Sequence, residues 1–340
     1  MANGTFTSSA LLRVQAKARQ MFAQNDPQVR HLMMDDFGTI RGMLARQMAD
    51  VTPFNRDSAG KDRNVTVHWL EHVPQALADP CEADCDFTGQ EAGSYSEDKT
   101  LSDCVEYAFT VDESKFHNSH FGAEDALAKL FLVADHTLAA NLNADAKAFL
   151  DANIGTSTYQ PSAASANDAT GLSIGAPNWN SALFAQLQTT VKRNKFNAPF
   201  MIGGIQLAES AFLQQTDTEA GAAGRIQRWG LFDIYYDTDA NGVGGDANNS
   251  SYILNAASYA VAIKNNETAT PVEYMADRRK YSFASQFLPG VSWDVYERKE
   301  CVGVEDVKTH YLFKARTGFF LAPKYSQAAT NTGILKLKVA

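Results

Sequence analysis

The amino-acid sequence predicts an α+β fold, and three features of the chain support this prediction. Residues 121–151 place apolar side chains at steps of three and four without a proline, as an amphipathic helix does. Residues 64–70 and 104–111 alternate apolar and polar side chains, which is typical of half-buried strands. The segment 71–103 between them is acidic and poor in large apolar side chains. Together these features predict a long helix preceded by a long hairpin whose connection is solvated.

Size and charge exclude several classes of protein. The chain has 340 residues, enough for two or three domains or one elaborate one, and a formal net charge of −9. This charge argues against a dedicated nucleic-acid binder, which normally carries a basic face. No apolar run is long enough to span a bilayer, and the first residues lack the apolar core of a signal peptide. We therefore expect a cytoplasmic product whose four cysteines are thiols or metal ligands.

The N-terminal part predicts two helices. Residues 8–24 and 29–49 each carry an apolar stripe of helical period, and Asn25-Asp26-Pro27 separates them. Methionine is frequent across this region, with Met21 in the first segment and Met33, Met34, Met43 and Met48 in the second. Flexible methionine side chains suit a surface that packs against varied partners, and core filling is the alternative interpretation.

The long helix carries signals at both ends. Glu124 and Asp125 fall in its first turn, where the helix dipole favours negative charge, and Asn153 and Gly155 supply the stop. At ~1.5 Å per residue the helix spans on the order of 45 Å, well beyond the typical ~11–12 residues of a globular helix. Such a rod is typical of a strut with other elements laid across it. An ordinary long core helix of an enzyme is the alternative.

The second half of the chain predicts a mixed domain followed by strands. Residues 154–177 predict an irregular loop, and Asn178 or Asn180 caps a helix that continues to about residue 194. Further on we expect a short buried strand at 198–202, a short helix at 206–215 and a strand at 231–236. A Gly/Asp/Asn-rich loop follows at 237–250, and the segment 252–263 is ambiguous between helix and strand. Alternation then predicts strands at 291–298, 310–317, 319–322 and 335–339.

One motif matches a hydrolase pattern, but the residues around it do not support a catalytic role. Gly171-Leu172-Ser173-Ile174-Gly175 matches the G-x-S-x-G nucleophile elbow, which requires a buried strand before the serine and a helix directly after it. Here the flanking residues predict a polar loop. We therefore assign no catalytic residue, and no cofactor-binding fingerprint occurs in the chain.

Two metal motifs are incomplete. Asp237 to Gly242 matches the first half of a calcium loop, but the twelfth position is Asn248 instead of glutamate. His68, His72, Cys81 and Cys85 give H-x3-H and C-x3-C spacing near Cys104. His68 lies in a predicted strand, however, where a residue four positions on is about 13 Å away. We therefore expect unmetallated thiols and no metal site, and His117 and His120 have no evident partners.

The order of the predicted parts resembles the major capsid protein of tailed bacteriophages, the Johnson fold shared with the floor of herpesvirus capsids. The run VKRNKFNAPFMIGG at Val191–Gly204 looks like the family's helix-to-strand passage into its axial domain. VSWDVYER at Val291–Arg298 and LFKARTGFFLAPK at Leu312–Lys324 look like family C-termini. The three cysteines near the acidic tip and the lack of a scaffolding segment depart from the family pattern.

The resemblance implies five parts. These are an N-terminal arm at 1–63, an extended β-hairpin loop at 64–112, and a peripheral domain at 113–200 that contains a spine helix at 121–151. An axial domain inserted in the middle of the chain would occupy 201–290, and residues 291–340 would return to the peripheral domain. A projecting hairpin exposes unpaired edges and buries little area. We expect neighbouring subunits to cover the loop and to complete the N-terminal stripes.

The implied function is self-assembly. A member of this family forms hexamers and pentamers that close an icosahedral head shell around double-stranded DNA, with decoration, scaffold and portal proteins as partners. We expect weak, non-specific contact with DNA, no membrane partner, assembly in the host cytoplasm and residence in the virion. The alternatives are a tail or decoration subunit and, from the motifs, a hydrolase using Ser173 or a zinc enzyme using His68, His72, Cys81 and Cys85.

Overall fold

The computed structural model describes most of the chain. The described residues are 8–53, 63–70, 94–112, 122–216, 228–229, 232–245, 250–301, 307–323 and 332–340. The acidic stretch 71–93, which holds His72, Cys81 and Cys85, lies outside them, as do His117 and His120.

Helices and strands alternate along the chain. The helices are α1 (Ser8–Ala23), α2 (Gly38–Arg46), α3 (Ala123–Ala152), α4 (Ser181–Arg193) and α5 (Ile205–Thr216), with 3-10 turns at Arg30–Met34, Ala176–Asn178 and Val243–Gly245. The strands are β1 (Asp50–Pro53), β2 (Asn64–Leu70), β3 (Ser94–Thr100), β4 (Asp103–Asp112), β5 (Ala164–Asp168), β6 (Gly171–Ile174), β7 (Pro199–Gly203), β8 (Arg228–Trp229), β9 (Phe232–Tyr236), β10 (Ser251–Asn255), β11 (Tyr259–Lys264), β12 (Val272–Met275), β13 (Arg278–Ala284), β14 (Ser292–Cys301), β15 (Val307–Leu321) and β16 (Ile334–Val339). The predicted mixture of helix and sheet is confirmed.

The strands form three sheets. An antiparallel sheet has the order β12-β13-β14-β15. The long strand β15 pairs with β14 and, further along the same side, with β11, whereas β4 pairs with its other side. A mixed sheet of seven strands has the order β5-β6-β16-β10-β7-β9-β8. The third sheet is β1-β2-β3, in which β2 is central. We call these the six-stranded, seven-stranded and three-stranded sheets.

The long helix α3 joins the two larger sheets. Phe131 in its first half packs against Phe283 of β13 and Phe313 of β15, with ring centroids 5.6 and 5.0 Å apart. At its last turn, Asp151 accepts hydrogen bonds from Tyr252 of β10 and, at 2.9 Å, from Lys336 of β16. The apolar stripe that predicted the helix therefore packs on the six-stranded sheet, and its C-terminal end meets the seven-stranded one.

The N-terminal helix α1 packs against α3 and also reaches β13, where Gln15 donates to the Ser282 carbonyl. Leu11, Val14 and Ala18 of α1 are fully buried in the same core cluster as Phe131. Arg13 of α1 also pairs with Glu124 of α3 at 2.7 Å. The expectation that neighbouring subunits complete the N-terminal stripes is therefore wrong, because α1 buries its stripe within its own chain. The core-filling interpretation is confirmed for Met21 and Met43, whereas Met34 and Met48 are 72 and 37% exposed.

The structure corrects the predicted hairpin. Strand β2 pairs with β3, where Asn64 lies opposite Thr100 and Leu70 opposite Ser94. The segment 104–111, expected to return against β2, instead pairs with β15 of the six-stranded sheet as β4. A polar strand at 94–100 was missed because its sequence, SYSEDKT, lacks the apolar alternation on which the prediction depended.

Three further segments differ from expectation. Residues 154–177 contain β5 and β6 rather than an irregular loop alone, and the ambiguous segment 252–263 is divided between β10 and β11. Strand β16 lies between β6 and β10, so the C-terminus does not return to the six-stranded sheet. Helix α4 packs there as well, since Leu183 and Leu187 share a core cluster with Leu337.

Candidate functional site

The G-x-S-x-G motif forms part of a strand. Ser173 is buried in β6, between β5 and β16, and its carbonyl accepts a hydrogen bond from Ser165. Gly171 has φ of +113°, and a Cβ there would lie 2.4 Å from the Lys336 carbonyl oxygen. The glycine is therefore required by the close approach of β16. Ser173 does not occupy the exposed strand-to-helix turn that a nucleophile elbow requires.

The zinc-type residues do not converge in the described structure. The His68 side chain on β2 lies 3.3 Å from the Thr52 hydroxyl, and Cys104 is an exposed free thiol on β4, opposite Arg316 of β15. Within the described ranges, no group of three or more His, Cys, Asp or Glu side chains could hold a metal ion.

The carboxylates of the half calcium motif accept hydrogen bonds from the N-terminal segment. Asp237 accepts hydrogen bonds from the Thr39 backbone and hydroxyl and from Asn143 of α3. Asp239 accepts from the backbone N–H groups of Asp36 and Phe37, at 2.9 and 2.5 Å. Because helix N-termini present unsatisfied N–H groups, these two carboxylates cap α2 and its entry turn. We call this arrangement the α2 latch.

Close packing and burial set the properties of the α2 latch. A Cβ at Gly38 would lie 1.9 Å from the Tyr236 carbonyl oxygen, so α2 approaches the end of β9 as closely as a glycine permits. Burial raises the pKa of Asp239 to about 6, although the N–H donors of Asp36 and Phe37 oppose the rise and the neighbouring Asp237 adds to it. The latch therefore fixes the N-terminal helices on the seven-stranded sheet.

A second buried carboxylate fixes the long helix on the six-stranded sheet. Asp135 of α3 accepts hydrogen bonds from Ser285 at 2.5 Å, from the Gln286 backbone at 2.7 Å and from the Trp293 indole at 2.7 Å. Burial raises the pKa of Asp135 to about 6 against the effect of these donors. No sequence motif marked this residue. Its one signal is a charged side chain on the apolar face of a helix.

The three-stranded sheet has one covered face and one open face. Val65, Val67 and Trp69 of β2 are buried against a small cluster that includes Ala260 and Ala262 of β11. The other face carries short polar side chains, joined by hydrogen bonds such as Thr66 to Asp98 at 2.7 Å and Thr100 to Asn64 at 2.9 Å. The acidic stretch 71–93 connects β2 and β3 at the end away from Arg63, whose carbonyl accepts from the Leu101 N–H at 2.7 Å.

The edge of the six-stranded sheet exposes apolar side chains. Among the described strands, β12 pairs only with β13, and its Val272, Tyr274 and Met275 side chains are 46, 42 and 54% exposed. An unpaired strand edge with large exposed apolar side chains is typical of a surface that another chain covers. The arrangement thus offers two surfaces for association, this edge and the open face of the three-stranded sheet.

Comparisons with known proteins give matches in structure only. No protein-family model matches the chain, and no curated protein matches its sequence. None of the described helices is long and apolar enough to cross a membrane.

Several solved structures are similar to this chain, among them three from phages. A structure from Mycobacterium phage Che8 matches 82% of this chain and 85% of its own, with 14% identity and a TM-score of 0.45. The capsid structure of cyanophage P-SCSP1u matches 85% of this chain and 90% of its own, with 9% identity and a TM-score of 0.44. The mature capsid of bacteriophage PhiM1 matches 85% and 89%, with 10% identity and a TM-score of 0.39.

Proposed function

We propose that this chain is the major capsid protein of a tailed bacteriophage, a structural subunit that assembles into the head shell. The observation that carries the proposal is the three-stranded sheet, which buries one face on its own chain and leaves its second face without a partner among the described residues. Small sheets with so little buried area are marginal on their own. A neighbouring subunit that covers the open face and the connection would supply the missing contacts.

The remaining architecture supports the same role. Helix α3 is the proposed spine, because it carries the six-stranded sheet along its first half and contacts the seven-stranded sheet through Asp151. The six-stranded sheet with α1 and α3 is the proposed peripheral domain. The seven-stranded sheet with α4 and α5 is the proposed axial domain. It takes β8, β9 and β10 from within 201–290 and adds β5, β6, β7 and β16, whereas β11, β12 and β13 belong to the six-stranded sheet.

Assembly into hexamers and pentamers follows from the proposed family. The exposed edge at β12 and the open three-stranded sheet lie on different sheets, so one subunit can contact neighbours through both. The net charge of −9 suits a shell that encloses DNA without binding it tightly. The proposed role is structural and needs no catalytic residue, and the proposed location is the virion after assembly in the host cytoplasm.

Electron microscopy of the expressed chain tests the proposal. We expect closed shells, or at least a lattice of rings, and in virions we expect this chain to dominate the protein content. A tail or decoration subunit would be present at lower copy number or would leave the shell intact when removed. A stable monomer that forms no lattice, alone or in its native particle, would exclude the proposed role.

A deletion separates folding from assembly. Replacing residues 71–93 with a short Gly/Ser linker removes the acidic connection while β2 and β3 stay joined. We expect the circular dichroism spectrum and melting temperature of the body to be nearly unchanged, because α3 and the two larger sheets bury their own cores. We expect the variant to form no closed shells, and normal particles from it would contradict the proposed role of the hairpin.

A further inference from the structure

A cleft on the six-stranded sheet carries three basic side chains. Lys314 and Arg316 lie on β15 and alternate with Phe313 and Ala315, which are buried in the core beside α3. Since successive side chains of a strand point to opposite faces, the cleft opens on the sheet face away from α3. Arg63, just before β2, is the third basic residue, and the cleft holds about 450 Å³.

The three cations of this cleft are available to a ligand. Within the part of the chain that the structure describes, none of Arg63, Lys314 and Arg316 forms an ion pair. The Lys314 ammonium instead lies 4.5 Å from the centre of the Tyr296 ring, which holds it in place. Like charges gathered in a partly enclosed space repel each other, so an anion between them would be stabilised.

The one carboxylate lining the cleft, Asp294, lies opposite Lys314 on the neighbouring strand and attracts it, but its hydrogen-bond partners lie elsewhere. Asp294 is 2% exposed and accepts hydrogen bonds from the backbone N–H groups of Asn266 and Glu267, at 2.9 to 3.0 Å. These bonds turn it towards the loop that follows β11. Asp294 therefore lowers the positive charge of the cleft by one unit, and a net positive charge remains.

The chain itself contains the complementary charge. The stretch 71–93 has no lysine or arginine and carries six acidic residues: Glu71, Asp79, Glu82, Asp84, Asp86 and Glu91. Arg63 lies before the first residue of β2, whereas the acidic stretch follows the last one, so about 23 Å of strand separates them at ~3.3 Å per residue. The acidic stretch therefore begins at the end of β2 that lies away from the cleft of its own chain.

We propose that this cleft is a carboxylate-binding site that receives acidic side chains of the stretch 71–93 from a second copy of the chain. The inference rests on the proposed function, in which subunits lie side by side, and it identifies the residues that hold the hairpin connection of a neighbour. Arg63, Lys314 and Arg316 bind the carboxylates through charge-assisted hydrogen bonds. A carboxylate fits this cleft better than a nucleic-acid phosphate, because duplex recognition uses an extended basic surface and this chain is acidic overall.

A peptide experiment tests the site without requiring shells. The receptor is the full-length chain with its own six acids replaced by the matching amides, and the probe is a fluorescent peptide of residues 71–93. We expect saturable binding by anisotropy that weakens as salt is raised. The double change Lys314→Gln and Arg316→Gln should weaken binding at least tenfold, whereas Lys308→Gln, on the same face of β15 outside the cleft, should leave it unchanged. Equal binding to both variants would overturn the proposal.

A second measurement tests where on the chain the peptide binds. Cys104 lines the cleft, and the peptide contains Cys81 and Cys85. Mild oxidation with glutathione disulfide should join the peptide to Cys104, as detected by mass spectrometry, and the lysine and arginine changes should abolish this adduct. Retained binding without a Cys104 adduct would place the peptide elsewhere and overturn the assignment. Duplex DNA that binds more tightly than the peptide and displaces it would assign the cleft to nucleic acid instead.

A charge-reversal experiment separates binding between copies from binding within one chain. One variant carries Lys314→Glu and Arg316→Glu, and another carries Asp84→Lys and Asp86→Lys. Each alone should fail to form shells, and a mixture of the two should recover them, because opposite charges then meet only between copies. Failure of the mixture, with both variants folded by circular dichroism, contradicts the proposal. If the wild-type chain forms no shells, the proposed function is wrong. The peptide experiment then still shows whether the cleft binds the acidic stretch.

Discussion

The body around α3 and the three-stranded sheet differ in how completely each buries itself. In the body, Phe131 contacts aromatic side chains from three different strands, and α1 packs against α3. In the three-stranded sheet, Val65, Val67 and Trp69 pack on small alanine side chains of β11, and the second face is polar. The first region has a core of its own, and the second depends on what covers it.

This difference indicates where substitutions should act. A change in the body removes contacts that folding requires, so its effect should appear in the free energy of unfolding of the separate subunit. A change in the three-stranded sheet or in the cleft should appear mainly in assembly, because few of the chain's own contacts depend on those residues. Changes in the two regions, ordered by the size of the expected effect, test this division.

The largest effect is expected from Asp135→Ala in the body. The change leaves three buried donors, on Ser285, Gln286 and Trp293, without an acceptor, and each unsatisfied donor costs about 1–3 kcal/mol. We expect a loss of about 3–5 kcal/mol in the free energy of unfolding, measured by urea denaturation. As a control, Glu124→Ala removes an exposed pair with Arg13 and should cost less than about 1 kcal/mol. A loss below about 1 kcal/mol for Asp135→Ala would show that α3 does not depend on this contact.

The next effect is expected from Gly38→Ala at the α2 latch. A Cβ at this position would meet the Tyr236 carbonyl oxygen at 1.9 Å, so α2 must move away from Asp237 and Asn143. We expect a loss of about 1–3 kcal/mol, as for other overpacked sites. Gly175→Ala is the matched control, since the nearest atom would lie 3.7 Å from its Cβ and its φ is −61°. An equal melting temperature for Gly38→Ala and wild type would contradict this close packing of α2 on β9.

A fall in pH should also change mainly the stability of the body around α3. The pKa values of Asp135 and Asp239 are about 6 in the folded chain and ~3.9 in an unfolded one, so the folded state binds more protons between these values. Their contribution to stability therefore increases as the pH falls from about 6 to 4, by up to about 1.4 kcal/mol per pH unit for each group. Asp151 acts in the opposite sense at lower pH. Burial disfavours its charge, but hydrogen bonds from Lys147, Tyr252 and Lys336 lower its pKa on balance, and that stabilisation is lost as the carboxyl is protonated.

Urea titrations of the separate subunit at pH 6, 5 and 4 measure this dependence. Asp239→Asn should flatten the change in stability between pH 6 and 4, because one of the two groups no longer titrates. Thr170→Ala, beside the exposed Asp168, is a control that should leave the dependence in this range unchanged. An Asp239→Asn profile parallel to that of wild type would show that this carboxyl does not take up a proton there.

The smallest effect is expected in the three-stranded sheet. In the separate subunit, amides of β2 and β3 should exchange with deuterium faster than those of α3 and β14, because one face of their sheet is open to solvent. In assembled shells their exchange should slow, whereas that of α3 should hardly change. Equal protection of β2 and α3 in the separate subunit would remove the distinction between the two regions.

The elements with the clearest sequence patterns were the ones predicted best. The apolar stripe of 121–151 gave α3 to within two residues at its start and one at its end, and Asn180 caps α4 as expected by accepting from the Ala182 N–H at 3.0 Å. Strand β3 was missed because polar side chains occupy most of its length, and its pairing to β2 is made by backbone hydrogen bonds that leave no pattern in sequence.

The predicted sites show the same limit. The sequence marked Asp237 and Asp239 only as part of an incomplete calcium motif. Only the fold brings Asp36, Phe37 and Thr39, some two hundred positions earlier, close enough to donate hydrogen bonds to them. The cleft residues Lys314 and Arg316 had one signal, their alternation with Phe313 and Ala315. Nothing in the sequence joined them to Arg63, which reaches the cleft because β2 starts beside the six-stranded sheet.

The sequence by itself determined the local elements that carry a clear pattern, such as α3 and the capped start of α4, and the acidic stretch without lysine or arginine. Those properties depend on residues close together in the chain, through period, charge and capping. Only the tertiary structure decided that β2 pairs with β3, that β16 joins the seven-stranded sheet, and that α1 buries its stripe on α3. These outcomes depend on which distant surfaces fit and on how much apolar area each pairing buries, and neither can be computed from neighbours along the chain.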